Sequence, residues 1–344
     1  YLYILKNIFS HKMNKFVLLV LIALIACDEV DIESEVFKNF QRFIKKYNKK
    51  YNSMNEYLAR YNAFRQNIFR LVENGPQSHD TGITKFADMT QQEFARTYLN
   101  LNFNAYALIN VNPIRVKISN EAPDEFDWRD KGVVSAVKDQ GSCGSCWAFA
   151  TVANLEGLYA QKKGVVKTFS EQFLVDCDTE DSGCNGGLME LAFEWIKNNG
   201  GFMYESDYPY ANKKQTCKQD TSKFVDMKVT GWVKLGDGTD TFSPVDEDEM
   251  KEFLYQTGPL AIALNATPLQ LYTGGIVDYA SWLCGTSGIN HAVTLVGYGV
   301  GTKNYWIVKN SWGKSWGESG YFRIARGKET CGVNYYVTTA TVSF

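Results

Sequence analysis

Cys143 and Cys146 stand three residues apart in Gln140-Gly141-Ser142-Cys143-Gly144-Ser145-Cys146-Trp147-Ala148-Phe149-Ala150. This run of small residues leads into an apolar-periodic segment through Leu155 and Leu158, which predicts a loop feeding the start of a buried helix. A thiol placed there meets the free N–H groups and the positive end of the helix, and both favour the thiolate. The thiolate is the form that attacks, so Cys146 is the candidate nucleophile. Three other readings of the pair stay open: two buried or bridged cysteines, a redox Cys-x-x-Cys, or half a zinc site. Zinc needs about four ligands, yet no second Cys-x-x-Cys occurs and the chain has only 3 histidines. A redox pair would want a preceding strand in a small βαβ setting, which the flanking residues do not show.

A cysteine nucleophile needs a base or an ion-pair partner, most often histidine. His11 lies near the start and His79 in a basic N-terminal part, which leaves His291 in Gly288-Ile289-Asn290-His291-Ala292-Val293 at the mouth of an apolar strand. A lone histidine in such a place is equally a structural one. Its second nitrogen needs an orienting acceptor. Asn310, between Lys309 and Ser311-Trp312-Gly313, is the candidate, with Trp312 placed to shield the contact from water.

These residues must be positioned by a large fold. At 344 residues and 45% hydrophobic, the chain can bury one large core or two, and a net charge of −2 with scattered basic residues excludes a nucleic-acid footprint. Residues 1–12 read as an upstream extension. Met13-Asn14-Lys15 and the apolar run Phe16–Ala26 read as a secretory signal over 13–27, too short for a stable bilayer span, with cleavage near Ala26 or Cys27. Of 8 cysteines, removing Cys27 leaves seven, which in an oxidising compartment means three bridges and one free thiol.

Phe37, Phe40, Ile44 and Tyr47 form one helical stripe, and Tyr57, Tyr61, Phe64, Ile68 and Leu71 another. Gly82–Asp88 reads as a short strand, residues 98–121 as a linker, and Glu121-Ala122-Pro123-Asp124 as a boundary. Residues 122–344 carry 20 Lys and Arg against 27 Asp and Glu, whereas the preceding residues carry 16 against 11. A basic segment followed by an acidic domain suggests that the two dock. Beyond the boundary, helices are expected over Cys146–Ala160, Glu171–Asp176 and Leu188–Lys197. Strands are expected over Phe224–Val229, Leu260–Leu264, Ala292–Tyr298, Tyr305–Asn310 and Tyr321–Ala325. Gly297-Tyr298-Gly299-Val300-Gly301 has no following helix or Lys-Ser/Thr, so it reads as a hairpin turn rather than a nucleotide loop. A helical half followed by a β half is an α+β pattern.

Gln140–Ala150, Asn290-His291-Ala292 and Lys309-Asn310-Ser311-Trp312-Gly313, in this order, closely resemble the papain family of cysteine peptidases, from about residue 35 to the C-terminus. The resemblance implies a two-lobed fold, with a helical left lobe, a β-barrel-like right lobe and the active site between them. It implies Cys146 as nucleophile, His291 as imidazolium partner and general acid/base, Asn310 as orienter and the Gln140 amide as oxyanion donor. It also implies the bridges Cys143–Cys184, Cys177–Cys217 and Cys284–Cys331, leaving Cys146 as the unpaired seventh cysteine. No cofactor or metal is called for.

The N-terminal part resembles the inhibitory propeptide of the cathepsin L-like branch through Glu56, Arg60, Phe64, Asn67 and Leu71, then Gly82, Phe86 and Asp88. Gly75 and Thr84 stand where that branch has asparagine. The resemblance thus implies a propeptide over 28–121, with its helical inhibitor domain at about 35–95, and a papain-like peptidase domain over 122–344. Gly187 would pair with substrate main chain. Leu188, Met189, Ala263, Ile289 and Tyr336 would line the S2 pocket, with Trp312 nearby. Tyr336 is the departure, expected to make the pocket shallower, preferring Leu or Val over Phe and rejecting Arg. Implied partners are polypeptide substrates, the chain's own propeptide and cystatin-like inhibitors, for a monomer in a lysosome-like or vacuolar compartment or outside the cell. Opposed charges on propeptide and domain suggest release in acid. The sequon Asn265-Ala266-Thr267 is followed by Pro268. A catalytically silent binding protein and a thiol-exchange protein with a Cys143–Cys146 bridge remain as the alternatives.

Overall fold

Two amphipathic helices open the described part of the chain, α1 (Glu29–Lys46) and α2 (Met54–Glu73). In the computed structural model the described residues are 29–75, 77–103, 113–119, 121–236, 243–279, 284–285 and 288–344, so the expected extension and signal over 1–27 lie outside them. Val36, Phe40 and Phe43 of α1 bury against Phe64, Ile68 and Leu71 of α2. Phe37, expected in the buried stripe, is exposed and meets Tyr61 edge-on, because the buried face of α1 runs through Phe43 instead. Ser53 caps α2 by accepting from Glu56 N–H, an orphan donor of the first turn, while the Glu56 carboxylate accepts from Asn52 N–H at 2.7 Å just before the cap.

The strand expected over 82–88 is instead β1 (His79–Thr81), followed by a turn through Lys85–Asp88. Local polar anchors override the pattern. Asn67 of α2 donates to Ala87 O and Met89 O, both at 2.8 Å, and Asp88 accepts from Lys49 Nζ and Tyr51 Oη. Thr90 and Glu93 form a capping box that starts α3 (Gln91–Tyr98). The short strands β2 (Pro113–Ile114) and β3 (Phe126–Asp127) follow.

One half of the remaining chain is helical: α4 (Cys146–Lys163), α5 (Glu171–Cys177) and α6 (Met189–Asn199), packed around Trp147, Leu155, Phe169, Phe173 and Phe193. The other half is built from β4 (Lys228–Leu235), β5 (Leu260–Leu264), β6 (Tyr272–Val277), β7 (His291–Gly299), β8 (Tyr305–Lys309), β9 (Tyr321–Ala325) and β10 (Tyr336–Ser343), with α7 (Glu247–Thr257) against it. The sheet order is β1-β6-β9-β8-β7-β5-β10-β4-β2, with β3 on β7. Its first strand thus comes from the N-terminal part and pairs antiparallel with β6, His79 opposite Gly275. The strand expected over Phe224–Val229 lies further on, as β4, because Val225 N–H is already bonded to Phe202 O at 2.8 Å. Bridges join Cys143–Cys184, Cys177–Cys217 and Cys284–Cys331. Among the described cysteines, Cys146 alone is free.

Candidate active site

Cys146 is the first residue of α4 and His291 the first of β7, so the helical half presents the thiol and the β half the imidazole. Gly144 N–H bonds Cys184 O at 3.0 Å beside the Cys143–Cys184 bridge, which fixes the turn before Cys146. Ser145 Oγ and Tyr210 Oη are 2.7 Å apart, and Tyr210 Oη also donates to Gln140 O at 2.9 Å. Sequence reasoning missed Tyr210, which lies in an irregular stretch with no period to mark it.

The His291 ring is oriented from two sides. Nε2 lies 2.8 Å from Asn310 Oδ1, and the ring packs on Trp312 with centroids 4.7 Å apart. Asn310 Oδ1 also accepts from Ser311 N–H at 2.8 Å, which fixes the amide. Nδ1 of His291 is buried on the ring's other side, where the Tyr98 backbone meets the imidazole. The Gln140 side chain is held by Ser311 Oγ, which donates to its Oε1 at 2.7 Å, while Nε2 donates to Cys143 O at 3.0 Å. The backbone of Ala292, next to His291, reaches the Cys146 thiol, so Cys146, His291, Asn310 and Gln140 lie together.

Residues 98–103 of the N-terminal part fill the cleft at this site. The Tyr98 carbonyl lies 3.4 Å from Gln140 Nε2, and the backbone of Asn100 reaches the Cys146 thiol. Leu101 N–H donates to Asn290 O at 3.1 Å and Asn102 N–H to Gly187 O at 3.2 Å. Phe103 lies edge-on to Tyr336, centroids 5.3 Å apart, in one apolar cluster with Leu188, Met189, Ala263 and Ile289. Tyr336 Oη in turn donates to Glu190 Oε2 at 2.5 Å, so the ring is pinned inward. Phe86, Phe94 and Tyr98 pack edge-on against Trp312.

Burial decides the protonation states under this cover. It pushes the Cys146 thiol up to about 11, against the opposing pull of nearby backbone groups. It lowers His291 to about 4, although the bond to Asn310 works the other way. The helix terminus expected to favour the thiolate is outweighed here, because removing a charge from water costs more than the first turn of a helix returns. Both shifts favour the neutral forms in the covered cleft.

Beneath the site, Lys138 Nζ binds Glu156 at 2.9 Å and Glu171 at 2.8 Å, and Lys309 Nζ donates to Ser135 Oγ at 2.7 Å. Ser135 Oγ in turn donates to Glu156, so these buried groups tie α4 and α5 to the end of β8, which leads into Asn310. The signal for them in the sequence is Glu156, a glutamate in the middle of the apolar α4.

The comparisons agree with this architecture. Residues 122–341 match the model of the papain family cysteine proteases, and residues 40–94 match the cathepsin propeptide inhibitor domain. Cathepsin F of Drosophila melanogaster is 44% identical over 88% of this chain, which spans 50% of the fly protein's length. Cysteine proteinase 15A of Pisum sativum is 39% identical, covering 89% of this chain and 86% of the pea protein. The solved structure of the digestive procathepsin L2 proteinase from Tenebrio molitor larval midgut superposes with a TM-score of 0.80 at 34% identity, covering 89% of this chain and 99% of that one. This chain belongs to the papain family of cysteine proteases and carries its own cathepsin-type propeptide inhibitor domain.

Proposed function

We propose that the chain is a cysteine endopeptidase made as a zymogen, with residues 28–121 as propeptide and 122–344 as peptidase. The Cys146 thiolate attacks the substrate carbonyl, forming the C–S bond. Gln140 Nε2 and the Cys146 N–H donate to the oxyanion. His291 protonates the amine as the C–N bond breaks, then takes a proton from the water that hydrolyses the thioester. Asn310 keeps the imidazole in place. The observation that carries this reading is that the free cysteine and the amide-held imidazole lie together under residues 98–100 of the same chain.

We further read Gly187 as the group that pairs with substrate main chain, and an apolar P2 site lined by Leu188, Met189, Ala263, Ile289 and Tyr336. The Phe103 ring against Tyr336 favours a pocket that takes Phe as well as Leu or Val, in place of the expected bias against Phe. Cystatin-like proteins, which would compete for the same cleft, fit as inhibitors of a monomeric enzyme of the secretory pathway. Acid treatment should convert the zymogen to a form cut near residues 115–124 that hydrolyses peptides. Cys146→Ser should neither mature itself nor cleave, yet should be trimmed when active enzyme is added. Self-maturation of the serine variant would refute the assignment.

A further inference from the structure

Gly187, the cleft-wall residue whose carbonyl accepts from Asn102 N–H, rests on a buried acidic pair. A Cβ built on Gly187 would lie 2.5 Å from Asp181 Oδ1 and 2.7 Å from the Trp147 ring, so backbone and carboxyl are in direct contact. Asp181 Oδ1 accepts from Leu188 N–H at 2.8 Å, the peptide that follows Gly187. Asp178, at the end of α5, accepts with Oδ1 from Glu180 N–H at 2.8 Å and Asp181 N–H at 3.2 Å. Ser182 N–H closes the loop on Gly186 O at 2.9 Å.

The two remaining oxygens, Asp178 Oδ2 and Asp181 Oδ2, are buried, and no other described residue donates to either. The two carboxyls lie close enough to act on each other directly. Two ionised carboxylates buried side by side, each with an outer oxygen that meets no donor, repel each other, and one proton between them removes the repulsion and supplies the missing donor. The charged neighbours do not relieve it, since Glu180 in the loop and Glu190 on α6 are both acidic. Lys214 approaches with its methylenes against Gly183.

We propose that Asp178 and Asp181 are positioning residues that share one proton, and that this proton holds Gly187 and Leu188 at the height where the cleft wall bonds the main chain lying in it. The inference rests on the reading of Gly187 as a substrate-pairing residue. Burial raises Asp178 to about 6, partly offset by the backbone N–H groups it accepts from. Burial, then the charge of Asp178, raises Asp181 well above the ordinary range. A carboxyl raised in the folded loop supports it fully below its ordinary value, and that support is lost as pH rises through the folded value. The clamp is therefore closed in acid and loosens toward and above neutrality.

Asp178→Asn tests this directly. The asparagine Oδ1 can keep both backbone bonds, and its N–H₂ replaces the shared proton at every pH. In the activated wild-type enzyme, KM for a peptide reaching Gly187 should rise about fivefold between pH 5 and pH 8, the worth of one such hydrogen bond. Asp178→Asn should hold KM flat within about twofold, while the kcat profile keeps its wild-type shape. Alkylation of Cys146 by iodoacetamide, too small to reach Gly187, should show one pH profile in both. Asp181→Asn preserves the Leu188 bond and should behave alike, which covers the case of one variant failing to fold. Identical KM–pH profiles in wild type and either asparagine variant would overturn the shared proton. A wild-type enzyme that cleaves no peptide at any pH would overturn instead the reading of the cleft on which the proposal stands.

Discussion

Asn310 acts on His291 through one acceptor, and that gives its removal a signed outcome. The Asn310 bond favours the imidazolium, so losing it lowers the His291 pKa. In Asn310→Ala the alkaline limb of kcat/KM, where the imidazolium is lost, should move to lower pH and kcat should fall. A pH–rate profile of the activated enzyme checks both. Gln140→Ala should lower kcat by about 10²–10³ with KM nearly unchanged, the cost of one oxyanion donor. Steady-state kinetics on a fluorogenic peptide measure it. The chemistry of these residues was legible in the sequence because nucleophile, imidazole and amide each sit in a short local motif. Their charge states were not, because Cys146 and His291 owe their shifts to burial under residues some 40 or more positions away in the chain. Ser311, which holds Gln140, is equally hidden: its partner is 171 positions distant.

Among the elements, α4 and β7 were readable because their apolar patterns are long and uniform. The strand expected at 82–88 was not, since Phe86 and Ala87 bury inside a turn rather than on a strand face. Asn67 makes that turn. It lies buried on α2 and satisfies two carbonyls, so it joins the first helical motif to the second. Asn67→Ala leaves the Ala87 carbonyl buried and unpaired, while Met89 O keeps its bond from Gln270 Nε2, and should cost the propeptide about 1–3 kcal/mol. The zymogen of this variant should melt earlier and mature faster at a fixed acidic pH, as calorimetry and gel-resolved processing would record. A melting point and maturation rate equal to wild type would remove Asn67 from the joint.

Across the whole molecule, the basic N-terminal part does dock on the acidic domain. Lys85 binds Asp139 at 2.5 Å and Arg115 binds Glu249 at 2.9 Å. The sheet adds His79 at the same junction. Its Nε2 lies 3.1 Å from Tyr279 Oη, its ring packs against Tyr272 and Tyr279, and Ser78 accepts from Asp278 N–H beside it. Burial sets the outcome, lowering His79 to about 4. A histidine lowered on docking supports the docked state fully above its free value of about 6.5 and loses that support as pH falls toward 4. The full loss is about 3 kcal/mol. His79→Phe keeps the ring in its cage and removes the titration, so maturation of this zymogen should require a lower pH than wild type. Unchanged pH dependence would assign the acid trigger to the interface carboxylates alone.

The central claim is that Cys146 is the nucleophile and that residues 98–103 keep it buried and neutral. A thiol-reactive epoxide, applied at one acidic pH before and after propeptide removal, tests both halves when the modified residue is mapped by mass spectrometry. The account predicts no labelling of the intact zymogen, then a single label on Cys146 with loss of peptidase activity once the propeptide is gone. Labelling of Cys146 in the intact zymogen would contradict the cover. A label on another cysteine, or none after removal, would contradict the nucleophile.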